Sequence, residues 1–457
     1  MSPRSTPKKA LLVSCVLAAL AAGAGAVPVE YVSLYEAEEE APRENFSLST
    51  FLEDFERDRK ARWERDTYSG DWSGWRDKLK DAGFIFNPVY EAEAFGSAGG
   101  GHGGVISDGL LDLEFDFDLE RLTHIWPGAL FHFNLLDIYG SSLSHKFLGD
   151  ISGTSNLAAF NTFRLQEMWL EQNFWNKRAS IRAGMLAADA EFFESKASNL
   201  ELNGTFGTFT LLTANFKNAP AYPLAAPAVR LDLTPVPVLD FKAGVFAPNV
   251  DAAKNTHGTD FSVNPKDGAL VALETSYLLN QAPNDHGLIG TYTVGAFIQQ
   301  GDYASWASQA AHALDPARPL VFGANYMAYG VADQEVFNNG RFTAEAFAHA
   351  GFASSSFSLV QNYCDAGVDL IGLLPNRGHD HAGLAVARSG ISQQFSHSRE
   401  EQGKPGSSAE TVIELTYKYQ LTQWGSIQPD FQYLINPSGV TGSRNAFVFG
   451  LRTTIVF

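Results

Sequence analysis

Cysteine is nearly absent from this chain, and that removes several classes of protein. Of 457 residues, only Cys15 and Cys364 are cysteine. Cys15 falls in an N-terminal leader, so the mature chain holds one thiol and cannot be a disulfide-stapled scaffold. Long apolar runs are missing as well. A membrane-spanning helix needs ~20 predominantly apolar residues, and no stretch beyond the leader supplies them. Positive charge is scarce: 33 Lys and Arg stand against 51 Asp and Glu, a net charge of −18. Nucleic-acid binding rests on Lys and Arg neutralising phosphates, so this balance argues against a nucleic-acid partner.

What is present begins with an export leader. Arg4, Lys8 and Lys9 precede an apolar run over residues 10–22, and Ala24-Gly25-Ala26 follows. This is the layout of a secretory signal peptide over residues 1–26, and the run is too short for a membrane anchor. Its removal takes away those three cations and no anion, which leaves a net charge of −21. An exported chain without helical spans is either a soluble secreted protein or a membrane barrel. The mean hydropathy of −0.12 does not separate the two, because barrel strands mix apolar and polar faces.

Residues 27–70 are dense in both charge signs and read as a charged periplasmic extension, with Thr50 and Glu53 spaced as the capping box of a short helix. An entry helix is expected at 72–82: Asp71 can cap it, Gly83 can end it, and Trp72, Trp75, Leu79 and Ala82 share one face. From Phe84 onward the period changes from 3.6 to 2. Leu111, Leu113, Phe115 and Phe117 alternate with Asp112, Glu114, Asp116 and Asp118; Ile413, Leu415, Tyr417 and Tyr419 alternate with Glu414, Thr416 and Lys418. Phe447, Phe449, Leu451, Thr453, Ile455 and Phe457 form one face of the last strand.

A soluble sandwich and a membrane barrel both produce such alternation. Aromatic residues near strand ends favour the barrel: Phe131 and Phe133 near Trp126, and Tyr417 and Tyr419 near Trp424. So does the terminal Phe457, a feature the outer-membrane assembly machinery would read. At ~10 residues per tilted strand, the region suits roughly 14–18 strands, in even number. The expected fold is therefore all-β: an antiparallel transmembrane β-barrel over 71–457, about 16 strands, with a short N-terminal helical segment.

Six segments, in order, resemble the carbohydrate-selective porins of the outer membrane, the family typified by the glucose-inducible sugar porin. They are Trp72-Ser-Gly-Trp75-Arg-Asp-Lys-Leu79 with Gly83; Arg164-Leu-Gln-Glu-Met-Trp169-Leu-Glu171-Gln172; Arg182-Ala-Gly184 with Asp189-Ala-Glu191-Phe192; Ala228-Val-Arg230; Asp333-Gln334; and Gln428-Pro-Asp430 with Gln432-Tyr433. The resemblance runs from Trp72 to Phe457. It implies a single-chain 16-stranded barrel for passive saccharide uptake. One departure is Met185, which stands where the better-known sugar porins carry Arg after the Gly and removes a lumen cation.

A sugar offers hydroxyls at its edge and C–H patches on its faces. A pore sorts it with carboxylates, Arg or amide groups and an aromatic ring, binding weakly enough to release it. Asp112, Glu114, Asp116 and Asp118 would stack carboxylates on one strand face at roughly 6.8 Å spacing. Such a row repels itself, so cations are expected to face it, with Arg164, Arg182, Arg230 and Lys242 as candidates. Trp169 shares a face with Glu167 and Glu171 and is expected at the constriction. Arg164 lies on the opposite face of a regular strand and reaches the lumen only through a bulge or a strand end.

The expected function is an outer-membrane porin for passive, selective diffusion of mono- or small oligosaccharides. The alternatives are a secreted β-rich glycoside hydrolase using two carboxylates, or a barrel for a different small solute. No catalytic residue, metal or cofactor is expected. His379-Asp380-His381 lacks the further ligands a metal needs, and no Gly-x-Ser-x-Gly elbow occurs. Expected partners are saccharide solutes, outer-membrane lipid and lipopolysaccharide, and the barrel assembly machinery through Phe457, with a homotrimer as an option.

Overall fold

In the computed structural model, the described residues are 65–457 except 101–102, 217, 249–252, 265–267 and 283–284. The segments assigned to the leader and to most of the charged extension, with Thr50 and Glu53, lie outside them.

The period-2 region forms sixteen antiparallel strands. They are β1 (Phe84–Gly99), β2 (Gly104–Asp118), β3 (Ala129–Gly140), β4 (Thr162–Phe174), β5 (Ala179–Leu186) and β6 (Ala226–Val236). Then come β7 (Leu239–Phe246), β8 (Leu270–Leu279), β9 (Gly290–Ala304), β10 (Phe322–Asn338) and β11 (Thr343–Ala353). The last are β12 (Val360–Ile371), β13 (His381–Ile391), β14 (Ala409–Thr422), β15 (Gly425–Ile435) and β16 (Ala446–Val456). Each strand pairs with its sequence neighbours, and β1 pairs with β16 from Val89↔Val456 to Gly99↔Ala446, so the sheet closes on itself. Closure leaves no strand edge unpaired, the condition for crossing hydrocarbon with strands.

The alternation settles which way each face points. Phe449 is 57% exposed and Leu415 55% on the outside of the barrel. Their chain neighbours Val448 and Glu414 are fully buried inside, as is Gln432, which pairs with both across the ladders. On β1–β3 the outward rings run across strands, with Phe86 and Phe115 centroids 4.7 Å apart and Phe115 and Phe133 4.4 Å apart.

The two ends of the barrel differ. Turns at one end are short, such as 175–178, 237–238, 339–342 and 423–424, and the chain terminus lies there. Loops at the other end are long, notably 141–161, 187–225, 247–269, 305–321 and 392–408. Short periplasmic turns and long outer loops are the rule for such barrels. A 3-10 turn Trp72–Gly74 leads into α1 (Trp75–Ala82) at the short-turn end, and α1 ends on left-handed Gly83 (φ 98°). Gly74 rather than Asp71 precedes the first α-helical residue, and Asp71 Oδ1 accepts from Asp77 N instead.

The loop 187–225 turns into the barrel and supplies most of a core inside it. Phe192, Phe193, Phe206 and Phe209 are at most 1% exposed and pack on inward rings of the wall. Phe193 sits 4.9 Å from Phe297 and 4.5 Å from Tyr329, and Phe209 sits 5.3 Å from Tyr363. Burying each such ring contributes about 1.5–3 kcal/mol. Wall side chains also accept the loop's backbone N–H groups: Glu414 from Leu202 and Asn203, Glu274 from Phe193, and Asp333 from Lys196. Much of the lumen is therefore filled, and the cavity described below lies against β2–β4.

Candidate constriction and solute site

On the open side the wall is built strand by strand from inward positions in register. Glu114 pairs with Asn134, Asp116 with His132, His132 with Trp169, and Glu171 with Arg182, which pairs in turn with Arg230. The β3–β4 ladder shifts by one residue between Asn134 and Leu135, where Gln166 is the extra residue on β4. This bulge is the device that alternation alone required: it puts Arg164 on the same side as Glu167, Trp169 and Glu171.

Arg182 and Arg230 do not face the acidic row of β2, as charge balance had suggested. Arg182 Nε donates to Glu171 Oε2 at 2.8 Å, and its Nη1 pairs with Glu191. Arg230 donates to Glu191 at 2.8 Å, to Glu171 at 2.9 Å and to Ser180 at 2.6 Å. The four side chains form a closed square of two cations and two anions, mostly buried. Lys242 lies beside Glu194 at 3.7 Å and donates to the Glu191 carbonyl. Arg164, 1% exposed, lies 5.5 Å from the Phe160 ring, and its nitrogens have no hydrogen-bond partner. The reason is local: Glu171 and Glu191 are nearer to the Arg pair than the β2 row is.

Trp169 is at the wall of the narrow passage but is 6% exposed, with His132 stacked on it (4.6 Å, 12°) and the Arg182 guanidinium 3.7 Å from its ring centre. Both faces of the indole are thus occupied, so it does not present a bare ring to a sugar. Gly184 permits this: a Cβ there would lie 2.2 Å from Met168 O and 2.9 Å from Trp169 Cβ. Asp118 ends β2 at the barrel rim, where it caps α2 (Leu119–Thr123) and pairs with Arg121 at 3.2 Å. Met185 is sealed with Ala187 and Ala225 in a small apolar cluster.

A cavity of about 290 Å³ lies between this wall and the inserted loop. Asp112, Glu114, His132, Asn134, Gln166, Glu167, Trp169, Asp189 and Tyr222 line it. Asp112 accepts from Asn134 at 2.5 Å, Asp116 bonds His132 at 2.7 Å, and Glu167 accepts from Ala187 N at 2.7 Å. Asp189 accepts from Tyr222 N and Thr208 Oγ1, and burial pushes its carboxyl above the usual range. Four polar atoms of these side chains have no partner: Asn134 Oδ1, Gln166 Oε1, Trp169 Nε1 and Asp189 Oδ1. Unpaired buried polar groups are costly, and a polyhydroxylated solute is one way to satisfy them.

Of the expected site residues, Glu114, Glu167 and Trp169 line the cavity, Asp116 stands beside it, and Glu171, Arg182 and Arg230 form the adjoining square. His132, Asn134, Gln166, Asp189 and Tyr222 were not expected as site residues, although Gln166 and Asp189 stand in two of the segments that carry the family resemblance. His132 and Asn134 alternate with Phe131 and Phe133 and were open to the same argument as the β2 acids. Asp189 and Tyr222 belong to a loop with no period to read. In the turn between β12 and β13, Asp380 of the His-Asp-His motif is held by Arg377, and His381 bonds Asp369 at 2.8 Å.

A closed sixteen-strand barrel with an apolar exterior, a polar passage and an inserted loop defines an outer-membrane channel of the porin type. The family model described as carbohydrate-selective porin, OprB family, matches residues 102–457, and this chain belongs to that family. Porin B of Pseudomonas aeruginosa is 23% identical over 424 residues, covering 85% of this chain and 90% of that protein. The putative porin QuiX of Acinetobacter baylyi is 22% identical, covering 85% and 92%. Among solved structures, the high-pH structure of Pseudomonas putida OprB has a TM-score of 0.79 at 22% identity, covering 86% of this chain and 99% of that one. The protein is a carbohydrate-selective-type porin of the bacterial outer membrane.

Proposed function

We propose that this chain is a passive channel for mono- or small oligosaccharides, sorted at the cavity between β2–β4 and the loop 187–225. The observation that carries the reading is the set of unpartnered polar atoms on side chains lining a passage otherwise closed by an apolar loop core. A hydroxyl-rich neutral solute can exchange hydrogen bonds along such a wall without being trapped, as conduction requires. Within the same proposal, residues 1–26 are an export signal, 27–70 a periplasmic extension, and Phe457 the terminal contact for barrel assembly. Lipid and lipopolysaccharide surround the barrel, and trimerisation belongs to this reading as well.

Planar-bilayer conductance tests it. Glucose should reduce single-channel current in a concentration-dependent way. Trp169→Ala, which unstacks His132 and Arg182, and Glu171→Ala, which unpairs Arg182 and Arg230, should weaken that block while the pore still conducts ions. Unchanged sugar block in both variants would move the sorting site elsewhere.

A further inference from the structure

The charge lining the passage is one-sided. β1 and β2 contain no Lys or Arg, yet their inward positions carry Glu91, Glu93, Asp108, Asp112, Glu114 and Asp116. Of the inner cations nearby, Arg452 is engaged with Glu93, and Arg182 and Arg230 with Glu171 and Glu191, while Arg164, whose nitrogens have no hydrogen-bond partner, lies against the Phe160 ring and is not among the side chains that line the cavity. His132 is engaged with Asp116. Around the cavity itself, Asp112, Glu114 and Glu167 have no cationic partner among the described residues. Independently of that row, Asn134 (6% exposed) and Gln166 (7%) line the same cavity, with Asn134 Oδ1 and Gln166 Oε1 unpartnered. Acceptors therefore outnumber donors there, and whichever carboxyls hold protons, none offers a positive charge.

We propose that this cavity is a cation-preferring selectivity site, which favours saccharides bearing a protonated amine over neutral ones and rejects those bearing a carboxylate or phosphate. The inference rests on the channel reading above and names its solute class. An ammonium donates three hydrogen bonds and carries the charge that Asp112, Glu114 and Glu167 lack as a partner. A sugar acid brings a further acceptor into a cavity already short of donors, and like charges repel across a narrow low-dielectric passage.

The experiment uses the full-length exported protein in planar bilayers. Under a KCl gradient the reversal potential should have the sign for potassium preference. Glucosamine should block at about fivefold lower concentration than glucose, equivalent to ~1 kcal/mol, and glucuronate should block less than glucose. The difference should shrink as salt rises. Glu114→Gln and Glu167→Gln should bring glucosamine and glucose block together. A chloride-preferring reversal potential, or glucuronate blocking as well as glucosamine, overturns the inference on the unmodified protein, whatever the variants do. A channel with no block by any sugar overturns the channel reading beneath it instead.

Discussion

Glu414 on β14 and Glu114 on β2 occupy equivalent places in the pattern: inward positions on strands that alternate an acid or polar residue with an apolar one. Their surroundings have nothing in common. Glu414 is fully buried and accepts the backbone N–H groups of Leu202 and Asn203, fastening the inserted loop to the wall. Glu274, Asp333 and Glu410 do the same on β8, β10 and β14, the last for Ile151 and Ser152 of the loop 141–161. Glu114 is half-buried and lines the open cavity. β8, β10 and β14 spend carboxylates on anchoring loops, whereas Asp112 and Glu114 of β2 accept no loop backbone N–H and face the cavity, and Glu167 on β4 does both. A closed barrel of this width needs both, because an unfilled lumen would not discriminate and a fully filled one would not conduct.

The strongest way to break this division is to loosen the filled half. Phe209→Ala removes a fully buried ring packed on Phe193, His349 and Tyr363, at a cost of about 3–5 kcal/mol. The loop should undock, giving a larger single-channel conductance, loss of sugar block and a lower temperature for the gel-mobility shift of the barrel. Glu414→Ala should act in the same direction through hydrogen bonds rather than packing. It leaves two buried N–H groups without acceptors, at about 1–3 kcal/mol each.

The barrel was legible in the sequence because alternation survives wherever a strand separates two solvents. Phe447 and Phe449 against Val448 and Gly450 show it directly, and the outward rings meet hydrocarbon. The filled half of the lumen was not legible. Phe347 sits at an inward position among residues that looked polar (Thr343, Glu345), because its partner is the loop's Phe206, 6.2 Å away, and not water. Phe192 to Phe216 carry no period, since a loop folded inside a barrel buries residues on all sides. The site was legible in its residue types more than in its pairings. Spacing placed Glu167, Trp169 and Glu171 on one face and required a bulge for Arg164 to join them. It could not show that Glu191, beyond the end of β5 in a loop without a period, would turn back to neutralise Arg182 and Arg230.

Glu201 probes the boundary between the halves through pH. It belongs to the inserted loop, is 2% exposed, and neither carboxylate oxygen has a partner. Burial, with Asp369, Asp365 and Asp430 nearby, pushes its carboxyl from 4.5 up to about 9. The folded protein therefore retains a proton that the unfolded chain releases above 4.5. Its contribution is fully present below that value and declines as pH rises toward 9. The temperature of the gel-mobility shift should fall across this window. In Glu201→Gln it should fall less, leaving the variant more stable than the parent at pH 8 by about 1–3 kcal/mol.

The smallest stability effect is the sharpest test of the comparison. Glu114→Gln and Glu414→Gln make the same chemical change at matching places in the strand pattern. If the open half keeps its carboxylates for solute, Glu114→Gln should change stability by no more than about 0.5 kcal/mol, as for a side chain without structural partners. Glu414→Gln keeps one acceptor oxygen and gives up the charge, so it should cost about 1–3 kcal/mol. Heat-modified gel mobility measures the first effect and bilayer recordings the second. Glu114→Gln should alter ion preference with unchanged heat stability, and Glu414→Gln should lower heat stability before it alters ion preference. Equal losses of heat stability in the two variants would mean that β2 is as much an anchor as β14, and the wall would then have no half reserved for the solute.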